Sequence, residues 1–117
     1  MIKLTRYCLA LDINEDKELI WAYKKHHEPD NIWPEVVRSL YDSGVVELEI
    51  YHVADRLFMI MEVTENFSFE RKKIMDSNNA KVQQWESLML RFQKKLPCAD
   101  EKEKWLIMET IFKLSDC

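Results

Sequence analysis

The chain has 117 residues, 47% hydrophobic and 32% charged, which fits one globular domain over residues 1–117 and excludes a second catalytic module, a disordered tract or a fibre. Seventeen Lys and Arg against 21 Asp and Glu leave a net charge of −4, so neither nucleic acid nor an anionic membrane surface is expected as a partner. Glycine occurs once, as Gly44, where about eight would be usual; phosphate loops, dinucleotide fingerprints and glycine-built oxyanion turns are thereby excluded, and any site must be made from side chains.

Lys3 to Ile13 mixes β-branched and aromatic residues and ends at Asn14-Glu15-Asp16, which predicts a strand followed by a helix capped by Asn14. Its apolar core, Tyr7 to Leu11, is too short for a signal segment, and nothing later approaches a membrane span. The three cysteines, Cys8, Cys98 and Cys117, are widely spaced with no C-x-x-C, so a cytoplasmic location with reduced thiols is expected.

From Leu19 to His27 the period is helical, with Leu19, Ile20, Tyr23 and His27 on one arc and Lys24 and Lys25 turned away. Glu28-Pro29-Asp30-Asn31 breaks this helix, and Trp33-Pro34-Glu35 opens another, with Pro34 suited to the first helical position. Its buried side is Val36, Val37, Leu40 and Tyr41, and Gly44 ends it in the left-handed conformation. Val45 to Val53 and Arg56 to Thr64 form a hairpin around Ala54-Asp55. Phe67 to Lys73 reads as a helix, Asp76-Ser77-Asn78-Asn79 as a break, and Ala80 to Phe92 as a helix with Val82, Trp85, Leu88, Met89 and Phe92 on one face. A charged connection, Lys94 to Lys104, leads to a last strand, Trp105 to Leu114.

This order implies an α+β, ferredoxin-like split β-α-β sandwich with an antiparallel sheet and helices on one face. Leu57 to Met61 and much of Leu106 to Phe112 are apolar on both alternating faces, so a second sheet should cover the open side. A homodimer forming a dimeric α/β barrel supplies it.

Tyr23 and His27 lie four apart on one helix, close enough for a proton-transferring ring and an orienting hydroxyl to meet. Spacing alone leaves His26 as an equal candidate, and a half-buried amphipathic face explains the same pattern. Arg6, Glu47, Glu49, Glu62 and Glu109 interrupt apolar strands, either as paired rim charges or as the lining of a polar cavity. Trp33, Trp85 and Trp105 suit a core or a stacking surface for a sugar. Asp, His and Cys do not cluster at metal-ligand spacing, and His26-His27 with the distant His52 make a weak case for zinc.

The stretch Tyr23-Lys24-Lys25-His26-His27-Glu28-Pro29-Asp30-Asn31-Ile32-Trp33-Pro34-Glu35 resembles the signature of the L-rhamnose mutarotases, a tyrosine four before a histidine followed by Asn-Pro-Ile-Trp-Pro-Glu. The likeness continues through Gly44, Ile50-Tyr51, Leu57-Phe58, Gln84-Trp85 and the last strand. It implies a dimer of ferredoxin-like subunits that interconverts the anomers of a 6-deoxy-hexose, L-rhamnose or L-fucose, without a cofactor. It also implies that His27 rather than His26 is the general acid and that Tyr23 contacts substrate. Two family contacts change here: a second-strand tyrosine becomes Leu48, and a Trp-Trp pair becomes Trp85-Glu86. Asp30-Asn31 also lengthens the loop after the histidine. These departures bear on sugar recognition and make the chain similar to relatives acting on L-fucose. The expected site is therefore His27 with Tyr23, Trp85, Glu86, Leu48, Glu49 and Trp33, where Glu49 or Glu86 would bind hydroxyls or act as the partner base. Two other readings of the same fold are a dimer that holds a small molecule without turning it over, and a haem-binding or oxygen-dependent enzyme with His27 or His26 as axial ligand.

Overall fold

The first strand, β1 (Thr5–Ile13), runs through the middle of the sheet and sets the register of everything beside it. In the computed structural model, which describes residues 3–100 and 103–117, it is followed by α1 (Lys17–His26), α2 (Pro34–Ser43), β2 (Val45–Val53), β3 (Arg56–Val63), α3 (Phe69–Ser77), α4 (Ala80–Met89), β4 (Gln93–Lys94) and β5 (Leu106–Ile107). The antiparallel sheet has the order β2-β3-β1-β4, with β5 also paired to β1. This is the ferredoxin-like α+β arrangement.

Side-chain alternation explains which face is covered. Leu9 pairs with Met59, Leu11 with Leu57 and Tyr7 with Met61, while Leu48 pairs with Met61 and Ile50 with Met59. All of these therefore share one face. There Ile13 and Leu57 pack with Tyr23 of α1, Val36 of α2, and Trp85, Met89 and Phe92 on or just beyond α4, and Leu9, Val45, Met61 and Val63 form a second cluster beside Leu40. Burying each such side chain contributes about 1.5–3 kcal/mol. The opposite face carries Cys8 opposite Ile60 and Ala10 opposite Phe58.

Several boundaries differ from the sequence expectation for local reasons. Asp16, not Asn14, caps α1: its carboxylate accepts from Glu18 N at 2.9 Å and Leu19 N at 3.1 Å. Asn14 is tied to the sheet end, where its N–H donates to the Phe92 carbonyl at 2.9 Å. Helix α3 starts after the Ser68 cap and runs on to Ser77, because Asn78 ends it and Asn79 at once caps α4. Helix α4 stops at Met89, since Gln93 and Lys94 pair with Ile13 and Asp12. The expected last strand is reduced to Leu106–Ile107, extended by one bond from Met108 N to Cys8 O of 2.7 Å. Beyond Met108 no further bond to a β1 carbonyl is found among the described residues, and Ile111, Phe112 and Leu114 are strongly exposed. No described helix is long and apolar enough to cross a membrane.

Gly44 ends α2 at φ 104°, as its place in the sequence required. A β-carbon there would stand 3.0 Å from Thr64 Oγ1 and 3.2 Å from Phe67 Cβ. Gly44→Ala should therefore lower stability by about 1–3 kcal/mol, read as a shifted urea midpoint with an unchanged m-value.

Candidate active site

The end of α1 puts two rings on the wall of a cavity of about 1070 Å³ between the helices and the covered face of the sheet. Carbonyls in the last turn of a helix lack intrahelical donors. Here the His27 N–H turns back to Lys24 O, and the free Tyr23 carbonyl is taken by His27 Nδ1 at 2.7 Å. This contact holds the imidazole 4.4 Å, centroid to centroid, from the Tyr23 ring. Trp85 from α4 closes the other side, 5.3 Å from the His27 ring, and Trp33 is edge-on behind Trp85 at 5.3 Å. Tyr23 itself is nearly inaccessible at 4% exposure, packed against Phe92.

Burial shifts both titrating groups toward their neutral forms. It lowers the pKa of His27 from the ordinary imidazole value, opposed by the bond to the Tyr23 carbonyl and assisted by His26 nearby. It raises that of Tyr23, opposed by the Gln93 side chain. Near neutral pH the site thus presents an uncharged imidazole and an intact phenol, two groups able to exchange protons with a neutral ligand.

Of the residues singled out in the sequence, His27, Tyr23, Trp85, Glu86 and Leu48 all line this cavity. Trp33 supports it through Trp85. His26 packs against Phe92 and the edge of Trp85 and is not among the lining residues. Glu49 is a correction: its register opposite Ile60 turns it to the other face of the sheet, where it accepts from the Tyr51 hydroxyl at 2.9 Å. Arg6, Glu62 and Glu47 stand in one row across β1, β3 and β2, and the buried Asp12 is paired with Arg56. Sequence reasoning missed Gln93, Lys104, Ile50 and Met59 as lining groups. Gln93 owes its place to pairing with Ile13, and no local pattern marks it. Among the described residues no three His, Cys, Asp or Glu groups are placed to hold a metal ion.

Comparison with known proteins gives a consistent picture. Residues 6–114 match the family model for L-rhamnose mutarotase. An L-fucose mutarotase of Xanthomonas campestris pv. campestris is 43% identical over 115 residues, 98% of this chain and 92% of its own. A Dictyostelium discoideum protein is 34% identical over 113 residues, 92% of this chain and 88% of its own. The crystal structure of an L-rhamnose mutarotase from Formosa agariphila superposes with a TM-score of 0.68 at 25% identity, covering 94% of this chain and 98% of that one. A dimeric ferredoxin-like protein from an uncultured marine organism shares the fold, with a TM-score of 0.54 at 14% identity over 97% and 93% of the two chains.

The depressed His27 pKa fixes the sign of a pH effect on folding. A folded-state pKa below the unfolded value means that the native state resists protonation, so the stability this contributes is present above about 6.5 and is lost as the pH falls through the folded-state pKa. Replacing His27 with Gln should flatten that part of the stability profile, and ring-proton NMR should show His27 titrating below 6.5.

Proposed function

The chain belongs to the L-rhamnose mutarotase family, isomerases that act on carbohydrates, and on that premise we propose that it interconverts the α and β anomers of a 6-deoxy-hexose in the cavity beside His27. The observation that carries this reading is the Tyr23 and His27 pair, with ring centroids 4.4 Å apart, on the wall of a cavity whose other side is Trp85.

Anomer exchange needs little machinery. The anomeric hydroxyl loses a proton, the bond from C1 to the ring oxygen breaks as that oxygen gains one, the open aldehyde turns about C1–C2, and closure reverses both transfers. His27 and Tyr23 are the groups that move these protons. Trp85 offers an aromatic face to the apolar side of the sugar, Leu48, Ile50 and Met59 face its methyl group, and Glu86 accepts from hydroxyls. Neither a metal nor an organic cofactor is needed by this chemistry. The 43% identical relative named an L-fucose mutarotase favours L-fucose over L-rhamnose, in keeping with Leu48 and Glu86 standing where the family signature has aromatic residues.

The working unit in this reading is a homodimer of one-domain subunits. Support comes from the partly exposed apolar face bearing Cys8, Phe58 and Ile60, and from the exposed Ile111, Phe112 and Leu114. The free thiols of Cys8, Cys98 and Cys117 support a cytoplasmic setting.

Magnetisation exchange between the anomers of L-fucose and of L-rhamnose should be faster with protein than without, and His27→Ala should cut the acceleration by about 10²-fold or more. Unchanged exchange rates for both sugars would reject the reading. Light scattering should give about twice the chain mass of 14.1 kDa, and a mass near the single-chain value would reject the dimer.

A further inference from the structure

We propose that the cavity holds a second sugar unit, so that the preferred substrate is a reducing disaccharide whose 6-deoxy-hexose end sits at His27 and whose other unit lies against Phe69, Lys72 and Asp76 of α3. This rests on the mutarotase reading and extends it from one ring to two.

The cavity is larger than one sugar ring requires. It encloses about 1070 Å³, where pockets of about 300–1,000 Å³ already bury drug-sized ligands. Its floor is long as well. Leu57, Met59 and Met61 of β3 all line it, and four residues of strand extend about 13 Å. Leu57 packs in the cluster of Tyr23 and Trp85, whereas Met61 packs in the cluster of Leu9, Val45 and Val63. Trp105, also on the cavity wall, packs against both clusters and joins the two ends. A pyranose over Leu57, beside His27, leaves the Met61 end open.

That far end is suited to hydroxyls. Phe69, Lys72 and Asp76, at i, i+3 and i+7, form one stripe of α3, and all three line the cavity. The Phe69 ring meets those of Tyr7 and Phe67 edge-on at 4.9 and 5.0 Å and stays 36% exposed, which leaves aromatic surface for the apolar side of a second ring. Lys72 Nζ donates to Asp76 Oδ2, and Asp76 is only 8% exposed. The pair neutralises itself and keeps further N–H donors and acceptor lone pairs for a ligand. The same balance holds along the wall, where among the described residues Lys24, Lys72 and Lys104 stand against Glu47, Asp76 and Glu86. An uncharged polyhydroxy unit fits such a lining, whereas a phosphate asks for an excess of positive charge.

A polar wall connects the two ends. Gln83 Nε2 donates to the Asp76 carbonyl at 2.8 Å and to Glu86 Oε2 at 3.3 Å, and Glu86 follows Trp85, the ring that faces His27. Glu86, Asp76 and Lys72 therefore run in series from the first sugar position to the second. With C1 at His27, the atom across the pyranose ring, C4, points along this series, so the glycosidic link is placed on O4.

The test is anomer exchange of L-fucose and of a reducing disaccharide carrying D-galactose on O4 of L-fucose, with the wild type, the double variant Lys72→Met with Asp76→Leu, and Phe69→Ala. Removing both charges together leaves neither buried alone. The wild type should exchange the disaccharide with a kcat/KM equal to or above that for L-fucose. The ratio of the two values should fall about tenfold in the double variant, as expected for lost hydrogen bonds to charged groups, and about threefold in Phe69→Ala, in each case through KM. A disaccharide kcat/KM below that for L-fucose would overturn the proposal while leaving the mutarotase reading in place. An unmoved ratio in either folded variant would overturn it as well, since the second unit would then bind elsewhere. Absence of any wild-type acceleration with both sugars would instead reject the function itself. The wild-type comparison and Phe69→Ala, at a partly exposed position, decide the matter even if the double variant does not fold.

Discussion

The hydrogen bond from the His27 ring to the Tyr23 carbonyl is the contact on which the site depends. It satisfies a helix-end carbonyl that the backbone has abandoned, and in doing so holds the imidazole against the Tyr23 ring and fixes which nitrogen is free. A ring without a donor at that position would leave the carbonyl unmet and the ring unanchored on the cavity wall. The half-buried place of the ring, between Tyr23 and Trp85, keeps it neutral near physiological pH.

The sheet does the rest by register. Because Ile13 closes the covered face of β1, its neighbour Gln93 is turned to the same side and lines the cavity. Because Glu49 is opposite Ile60, it is carried away from the cavity although it lies between two lining residues, Leu48 and Ile50. A slip of one residue in either strand would exchange these fates, which is why pairing of the strands and composition of the site are one problem.

Much of this is legible in the amino-acid sequence. The helical spacing of Tyr23 and His27, the Trp33-Pro34 start and Gly44 stop of α2, and the hairpin around Ala54-Asp55 follow from local rules. What local rules do not carry is long-range: the choice of Asp16 over Asn14 as cap turns on a bond from Asn14 to Phe92, the early end of α4 on a two-residue ladder, and the place of Gln93 on the cavity wall on a partner eighty positions earlier in the chain. Nor does spacing separate His26 from His27; packing does, by placing the first against Phe92 and the second on the cavity wall. The apolar pattern of Leu106 to Phe112 promised a long strand, yet in a single chain only its first residues find a ladder. The pattern records a preference for burial that this chain alone does not fulfil.

The scarcity of glycine now has a physical meaning. Gly44 serves a helix end, and a neutral sugar asks for hydroxyl partners and two proton carriers, all of them side chains, where a phosphate would ask for exposed backbone. The central claim is that the His27 ring, held through Nδ1 to the Tyr23 carbonyl, stands where the sugar binds, and long-range 15N NMR of the histidine rings with and without saturating L-fucose observes that ring directly. The account predicts a neutral ring at pH 7.5 with the proton on Nδ1 and an Nε2 resonance that moves when the sugar is added. A proton on Nε2, or an Nε2 resonance indifferent to the sugar, would contradict it.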